Sequence, residues 1–300
     1  MAEFKFVLQR DKRFIEESIE VNNNELIIIK SAKYDLISIL KFEELYDQII
    51  ESHLEFKSFL HTSSLSAISN ARRSYISNHE VRSKLNRHVF NTLNLSKLYL
   101  DKTFHEKDKK FFVKDLTKDE SLHEKVLELR ERIESENFGY KLCCKLRNYV
   151  QHNMLPINMI EKGFNRLEGT KGKTILAHFV LPLKKNEIKN KDIRNKLLDN
   201  FEEKIDLHLV MDEYIYAISQ MHIQAREFIK PTMNNALSIF KNRQISIEEQ
   251  YGKGLTDISL YESNIRLLSL DVEWFNVVPY IQEKYSVALN YRNIEHNTYL

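Results

Sequence analysis

Scarcity of helix-breaking residues is the feature that most constrains this chain. Its 300 residues include only 6 glycines and 4 prolines. Because glycine and proline interrupt helices and build tight turns, their scarcity favours long helices over a turn-rich sandwich or barrel. Hydrophobic residues make up 42% of the chain, enough for the core of one large domain or two modest ones. We therefore expect a mainly α fold.

Helical periodicity supports this expectation. Apolar residues recur three and four positions apart, as in amphipathic helices. The stretches with this pattern are 33–60, 81–104, 121–155 and 192–229, the last continuing past Pro231 toward Gly252. We expect a serine-rich break at 62–69, a break or kink at Gly139, and the end of a helix before Pro156, since proline disfavours helix at the preceding residue.

Three regions carry β signals. "FKFVL" at 4–8 and "ELIIIK" at 25–30 predict strands, with the charged "DKRFIEESIE" predicted as a helical piece between them. The β-branched and aromatic "ILAHFVLPL" follows a glycine-rich segment and predicts a hairpin inserted between helices. The tail, 255–300, mixes helix and strand signals around Trp274.

These patterns define the expected domain organisation. We expect an N-terminal β/α element at 1–32, a helical bundle at 33–252 with a hairpin inserted at about 163–184, and a mixed C-terminal extension at 253–300.

Several function classes have no support in the sequence. No apolar run is long enough for a secretory signal or a membrane span, so we expect a cytoplasmic protein without a membrane partner. Lys plus Arg number 45 against 43 Asp plus Glu, which leaves no global field for polyanions. The neighbours Cys143 and Cys144 lack the spacing of a zinc site and are expected to be reduced helix residues.

Other suggestive patterns have ordinary explanations. "GTKGKT" at 169–174 lacks the first glycine of a phosphate-binding loop and fits a hairpin turn better. The basic stretch 184–196 is interpreted as a solvated loop and helix start. Pairs spaced four apart, His208 with Asp212 and His222 with Arg226, are expected to make surface or interhelix hydrogen bonds. We therefore predict no metal and no cofactor.

The segment "RNYVQH" at 147–152 is the strongest candidate for a site. If it is helical, one arc of about 140° collects polar side chains: Arg147, Gln151, Cys144, Asn148 and His152. The opposite arc is expected to pack in the core: Tyr149, Leu142, Leu146, Val150 and Cys143. The exposed arc thus presents a cation, an amide and an imidazole together.

Such groups suit the cleavage of RNA. The reaction needs a base for the 2′-hydroxyl proton, an acid for the leaving 5′-oxygen and a cation beside the phosphorane-like transition state. Histidine can act as base or acid near neutral pH, and arginine binds phosphate oxygens with two parallel hydrogen bonds. Because one chain supplies only His152 here, chemistry with two histidines requires a second copy.

Spacing alone is not diagnostic, because Arg73 with His79 and Arg82 with His88 are similarly separated. The context of Arg147 differs: Asn148 follows it directly, His152 completes the segment, and "LPI" comes after. In this context "RNYVQH" resembles the signature of the HEPN superfamily, which is Arg, a polar residue, a few residues and His. The preceding "LNRHVFNTLNLSKLYLDK" also looks like the helix before the signature in bacterial members.

This resemblance covers about residues 33–160. It implies a HEPN-like helical bundle that forms a homodimer and cleaves RNA without metal at a composite site, with Arg147, Asn148 and His152 as catalytic residues. It also implies a toxin or antiphage defence effector, with an antitoxin or regulatory protein as a possible partner. The alternatives are a non-catalytic HEPN-like module that binds a nucleotide or a protein, and an enzyme that is inactive until it is triggered.

Overall fold

A computed structural model shows a mainly α protein with a few short strands, which confirms the expected fold class. The structure describes residues 4–11, 13–69, 74–104, 110–152, 155–169, 172–185, 188, 197–198 and 204–291. The chain divides into two compact units. The first combines 1–44, 113–119 and 226–286, and the second combines 45–112, 120–225 and 287–300.

Helices dominate both units. They are α1 (Asn23–Ser69), α2 (Tyr75–Phe104), α3 (Phe112–Thr117), α4 (Glu120–Glu136), α5 (Phe138–His152), α6 (Leu207–Tyr251) and α7 (Val277–Lys284), which follows a 3₁₀ turn at Glu273–Asn276. The segments α1 and α6 each contribute residues to both units. As expected, α6 continues through Pro231.

The strands form one antiparallel sheet and two smaller pairings. They are β1 (Phe4–Arg10), β2 (Arg13–Glu20), β3 (Lys110–Phe111), β4 (Glu161–Gly169), β5 (Gly172–Val180), β6 (Pro182–Lys184), β7 (Lys204–Asp206), β8 (Asp257–Glu262) and β9 (Ile265–Ser269). The four-stranded sheet has the order β2-β1-β8-β9, and β6 pairs with β7. The β4–β5 pair, with Gly169 opposite Gly172, confirms the predicted hairpin.

The first unit contains this four-stranded sheet. Phe6 of β1 pairs with Leu260 of β8, and both side chains are fully buried. In the same unit, Arg226 of α6 forms a buried ion pair with Glu43 of α1, with 2.7 Å between Arg226 Nη2 and Glu43 Oε2. Arg226 also donates to the Tyr285 carbonyl at 2.6 Å. A buried charge paired and hydrogen-bonded in this way avoids the cost of an isolated one.

The second unit is helical at its centre and carries the predicted site. Its core is formed by large apolar side chains of α1, α2, α5 and α6: Tyr46, Phe56, Leu85, Val89, Leu93, Tyr99, Leu142, Leu146, Tyr214 and Ile218. These side chains are at most 1% exposed. α5 packs against both α2 and α4 in this unit.

The predicted order of elements at the N-terminus is wrong. Residues 13–20 form strand β2, whose Ile19 pairs with Phe6 of β1, whereas residues 25–30 lie in α1. The run "LIII" resembled a strand because isoleucine is β-branched, but only Leu26 and Ile29 are buried in it, three residues apart as in a helix. A capping residue marks the true start, since Asn22 Oδ1 accepts a hydrogen bond from the Glu25 amide at 2.9 Å.

The predicted break at 62–69 is also wrong, because α1 continues to Ser69. Hydroxyl groups in this stretch bond back to the helix: Thr62 donates to the Ser58 carbonyl, and Ser66 donates to the Thr62 carbonyl at 2.8 Å. Serine and threonine can therefore remain within a helix when their hydroxyl groups donate to carbonyls of the preceding turn.

The break predicted at Gly139 falls at Asn137 instead. Asn137 Oδ1 caps α5 by accepting from the Tyr140 amide at 2.7 Å. Gly139 lies inside α5, where a Cβ atom would come within 2.5 Å of the Glu213 Cβ and 2.7 Å of the Val210 carbonyl. Glycine is therefore required for close packing of α5 on α6, and not for a kink.

Of the helix predicted at 192–229, residues 192–196 and 199–203 lie outside the described residues. Residues 204–206 form β7, and α6 begins at Leu207. Asp206 lies at the junction of β7 and α6. Its Oδ1 accepts hydrogen bonds from the amides of Leu181 and His208, each at 3.1 Å. Most of the predicted basic stretch 184–196 lies outside the described residues.

Candidate functional site

The last helix before Pro156 has the two faces that its sequence predicts. The packing arc of α5 is buried: Leu142, Cys143 and Leu146 have no exposed surface, and Tyr149 and Val150 are 4% and 8% exposed. Burial of one apolar stripe fixes the rotation of α5 about its axis. The polar arc is therefore turned outward.

The predicted catalytic residues lie on this outward arc. Asn148 and His152 are exposed, and Arg147 is half-buried. Arg147 Nη1 donates to Asn148 Oδ1 at 3.2 Å. His152 is the last residue of α5, one turn beyond Asn148. The structure thus brings Arg147 and Asn148 into contact and places His152 on the same helix face.

The guanidinium of Arg147 is only partly used. Its Nε is buried and has no hydrogen-bond partner among the described residues. A buried donor without a partner is costly on a permanent cation, and a charge-assisted hydrogen bond to a phosphate oxygen would satisfy it once the side chain turns outward. Asn148 contacts the same guanidinium through Nη1.

A cleft of about 520 Å³ borders Asn148, between α2, α4 and α5. Its charged walls carry four cations and two carboxylates: Lys97, Arg130, Lys141, Lys145, Asp101 and Glu134. Its apolar part is formed by Leu100, Phe104 and Leu197. The cleft thus combines an excess of positive charge with an apolar floor.

The cations of this cleft are held by specific contacts. Lys97 pairs with Asp101, one turn along α2. Arg130 donates to the Phe104 carbonyl at 3.2 Å and lies 5.6 Å from the Phe104 ring centre. The Lys141 ammonium donates to the Ser135 carbonyl at 2.7 Å. These contacts pre-organise the wall beside Asn148.

The thiol in this cleft is not an activated nucleophile. Burial raises the pKa of Cys144 to about 11, against the opposing effect of a Tyr140 hydrogen bond. Burial also raises the pKa of Cys143 well above its usual value. Both thiols are therefore protonated at neutral pH, and both are free of disulfides, as the sequence predicts.

Residues after α5 are fixed by a side chain that the sequence analysis missed. Asn86 of α2 is buried, and its amide makes two hydrogen bonds to Ile157: Nδ2 donates to the carbonyl at 2.8 Å, and Oδ1 accepts from the amide at 2.9 Å. This clamp holds the chain five residues beyond His152. Asn86 lies within "LNRHVFNTLNLSKLYLDK", where an asparagine between apolar core residues was the available signal.

A second polar cluster in the same unit has a buried centre, with His53 0% and Asp212 1% exposed, and a partly exposed rim. His53 Nε2 of α1 lies 2.8 Å from Asp212 Oδ1 of α6, and Lys57 donates to Asp212 Oδ2 at 2.7 Å. His208 Nε2 lies 3.5 Å from the same carboxylate. The Tyr291 ring centre is 5.2 Å from that of His53. We define this group, with Asp212 at its centre, as the Asp212 cluster.

Burial and charge pairing together decide the charges in the Asp212 cluster. It lowers the pKa of His53, although the Asp212 hydrogen bond opposes this effect. The pKa of Asp212 is also lowered: burial would raise it, but the His53 hydrogen bond and the nearby cations outweigh burial. Asp212 is thus ionised and paired with Lys57, while neutral His53 donates its Nε2 proton.

The histidines of the two pairs spaced four apart contact other helices. His208 and Asp212 belong to a buried interhelix cluster, and His222 stacks on Tyr46 with 3.7 Å between ring centres. Lys171 of "GTKGKT" lies outside the described residues. In the part of the chain that the structure describes, no group of three or more His, Cys, Asp or Glu could hold a metal ion. Among these same residues, no helix is long and apolar enough to span a membrane.

The chain matches no protein-family model, no curated protein and no solved structure. The resemblance to the HEPN superfamily therefore rests on Arg147, Asn148, His152 and the helix before them.

Proposed function

We propose that the protein is a HEPN-like, metal-independent endoribonuclease. The observation that carries this proposal is the outward face of α5, where Arg147 contacts Asn148 and keeps an unpaired donor while His152 ends the helix in solvent. They supply the cation and one of the two acid–base groups that RNA cleavage through the 2′-hydroxyl requires, and the amide contacts the cation.

Each residue has a defined role in the proposed reaction. The 2′-oxygen loses its proton to a base and attacks the adjacent phosphorus, while the bond to the 5′-oxygen breaks and that oxygen takes a proton from an acid. His152 supplies one of these proton transfers. Arg147 neutralises the charge that develops on the phosphoryl oxygens, and Asn148 holds its guanidinium. The products are a 2′,3′-cyclic phosphate and a 5′-hydroxyl.

A second histidine must complete the acid–base pair. One chain presents a single His152, so the proposal includes a homodimer in which two α5 helices face each other. The biological role that follows is that of a cytoplasmic toxin or antiphage effector, restrained by an antitoxin or regulatory protein or held inactive until triggered.

The cleft beside Asn148 favours one competing function. Its four cations and apolar floor suit a nucleotide whose base lies on Leu100 and Phe104 and whose phosphate meets Lys145. In that case the protein is a binding module that cuts nothing.

Cleavage of total RNA in EDTA separates the two functions. The nuclease predicts that wild-type protein fragments the RNA and that Arg147→Ala and His152→Ala proteins do not. Lys145→Ala, at an exposed position of the cleft, is the matched control and should retain cleavage. The binding module predicts intact RNA with all four proteins, together with nucleotide binding that Lys145→Ala weakens.

A further inference from the structure

A groove in the second unit has no part in the proposed chemistry. It has a volume of about 450 Å³ and lies between the start of α2, residues 158–160 and the start of β4. Its polar lining includes Asn78, His79, Arg82 and Lys162. None of the described residues that line it is acidic. In a chain whose charges nearly balance, this groove is a local concentration of positive charge.

Two cations of this groove make hydrogen bonds to uncharged oxygens. Arg82 Nη1 donates to the Asn158 carbonyl at 2.7 Å, and Lys162 Nζ donates to Asn78 Oδ1 at 2.8 Å. His79 Nδ1 lies 3.5 Å from Arg82 Nη2. Glu161, which precedes Lys162 in the chain, is paired with Lys204 at 2.6 Å. The oxygens that Arg82 and Lys162 contact here carry no formal charge, so these contacts leave the groove positive.

An exposed aromatic ring completes the groove. Tyr75, the first residue of α2, is 86% exposed and forms part of the lining. An accessible ring beside fixed cations is the combination that binds single-stranded nucleic acid, because unpaired bases stack on aromatic faces while phosphates meet Lys and Arg. The start of a long helix adds positive potential at the same place.

The groove is also connected to the proposed site. Its wall at 158–160 follows His152 in the chain, and the preceding Ile157 is clamped by the two hydrogen bonds from Asn86. Arg82, one turn before Asn86 on α2, holds the next residue, Asn158. Two neighbouring side chains of α2 thus fix the segment that leads from α5 to the groove.

We propose that this groove binds single-stranded RNA, with an unpaired base stacked on Tyr75 and phosphates contacted by Arg82, Lys162 and His79. The choice of RNA rests on the proposed function, while the stacking and charge arguments rest on the groove itself. Strands that also enter the site on α5 are then held at a second point, which favours unpaired over duplex substrates.

Binding is measured by fluorescence anisotropy with a labelled single-stranded RNA, using His152→Ala protein so that the strand stays intact. Adding Tyr75→Ala should weaken binding about tenfold, through loss of one stacked base. Adding Lys162→Ala should reduce the slope of log affinity against log salt by about 0.7, through loss of one phosphate contact. Tyr34→Ala is the matched control, because this tyrosine of the first unit is 70% exposed and should leave affinity unchanged.

Unchanged affinity with Tyr75→Ala and an unchanged salt slope with Lys162→Ala would overturn the inference. So would an equal loss with Tyr34→Ala. Because binding and cleavage are measured separately, failure of the groove and failure of the nuclease give different results. Tyr75-dependent binding by a wild-type protein that cuts no RNA supports the groove and contradicts the nuclease. Cleavage without any effect of Tyr75 or Lys162 on binding supports the nuclease and removes the groove.

Discussion

Two polar clusters in the second unit contain similar groups in opposite environments. The α5 face presents Asn148 and His152 to solvent, with Arg147 half-buried beside them. The Asp212 cluster places His53 and Asp212 at 0% and 1% exposure, with Lys57 beside them. Both contain a histidine and a cation. Only the Asp212 cluster has a carboxylate that pairs with both.

The two environments predict different effects of substitution. The polar groups around Asp212 are directed at one another, so their removal leaves an unpaired charge in the core. On the α5 face, Arg147 keeps an unused donor, and His152 lies where a substrate could reach it. We therefore expect substitutions on α5 to affect activity and substitutions in the Asp212 cluster to affect folding.

The largest expected effect is on catalysis. Replacing His152 with alanine should lower the rate of RNA cleavage by about 10²–10⁴-fold, because a positioned acid or base contributes that factor. Since His152 is exposed, the melting temperature of the His152→Ala protein should match that of wild type. Initial rates with a fluorescent RNA and thermal melting check both parts. Equal cleavage by the two proteins would remove His152 from the mechanism.

Asp212→Ala should have the opposite signature. Loss of this carboxylate leaves Lys57 and the His53 donor without their Asp212 partner. The free energy of unfolding should therefore fall by about 3–5 kcal/mol. Urea denaturation measures the loss. Asp101→Ala is the matched control, because Asp101 pairs with Lys97 at a half-exposed site and should cost less than about 1 kcal/mol. Equal losses in the two proteins would show that burial does not distinguish the pairs.

An intermediate effect is expected at the clamp beyond α5. Asn86→Ala removes both hydrogen bonds to Ile157 and should destabilise the protein by about 1–3 kcal/mol, because buried backbone groups lose their partners. It should also lower kcat more than it raises KM, if the clamp positions His152. The comparison protein is Asn94→Ala, whose hydrogen bond to Gln151 is exposed and should matter little to unfolding. A wild-type unfolding curve for Asn86→Ala would contradict the clamp.

The smallest expected effect depends on pH. Burial lowers the folded-state pKa of His53 below 6.5, so the unfolded chain takes up a proton that the folded protein refuses. Its stabilising contribution is complete above pH 6.5 and is lost as the pH falls, by up to about 1.4 kcal/mol per pH unit for one proton. His208, whose pKa is also lowered by burial, acts in the same direction. The lowered pKa of Asp212 acts only below its ordinary range, near pH 4.

Urea denaturation from pH 7.5 to 5.5 tests this sign. His53→Gln keeps a donor for Asp212 but cannot titrate, so its stability should fall less steeply than that of wild type. An identical slope in the two proteins would mean that folding leaves the pKa of His53 unchanged, and a shallower fall for wild type would mean that folding raises it.

Local periodicity was sufficient for much of the fold and for the two faces of α5. The buried arc from Leu142 to Val150 follows from helical geometry alone. The N-terminal elements were misassigned because "LIII" and "RFIEESIE" are short and their preferences are decided by pairing, here of Ile19 with Phe6. Isoleucine-rich runs of this length fit either structure.

Contacts between distant residues could not be predicted from one sequence. His53 and Asp212 are 159 positions apart, and only the packing of α1 on α6 brings them together. The same holds for Asn86 and Ile157, which are 71 positions apart. By contrast, the contact between Arg147 and Asn148 is local, which is why the candidate site was visible in the sequence.

The most direct test of the account is the chemistry of the RNA ends. Purified wild-type and His152→Ala proteins are incubated with structured total RNA in EDTA, and the 3′ ends of any fragments are analysed. The account predicts fragments ending in 2′,3′-cyclic phosphate from wild type alone. Fragments with 3′-hydroxyl ends, or the same fragments from both proteins, would contradict the assignment of the α5 face as a ribonuclease site.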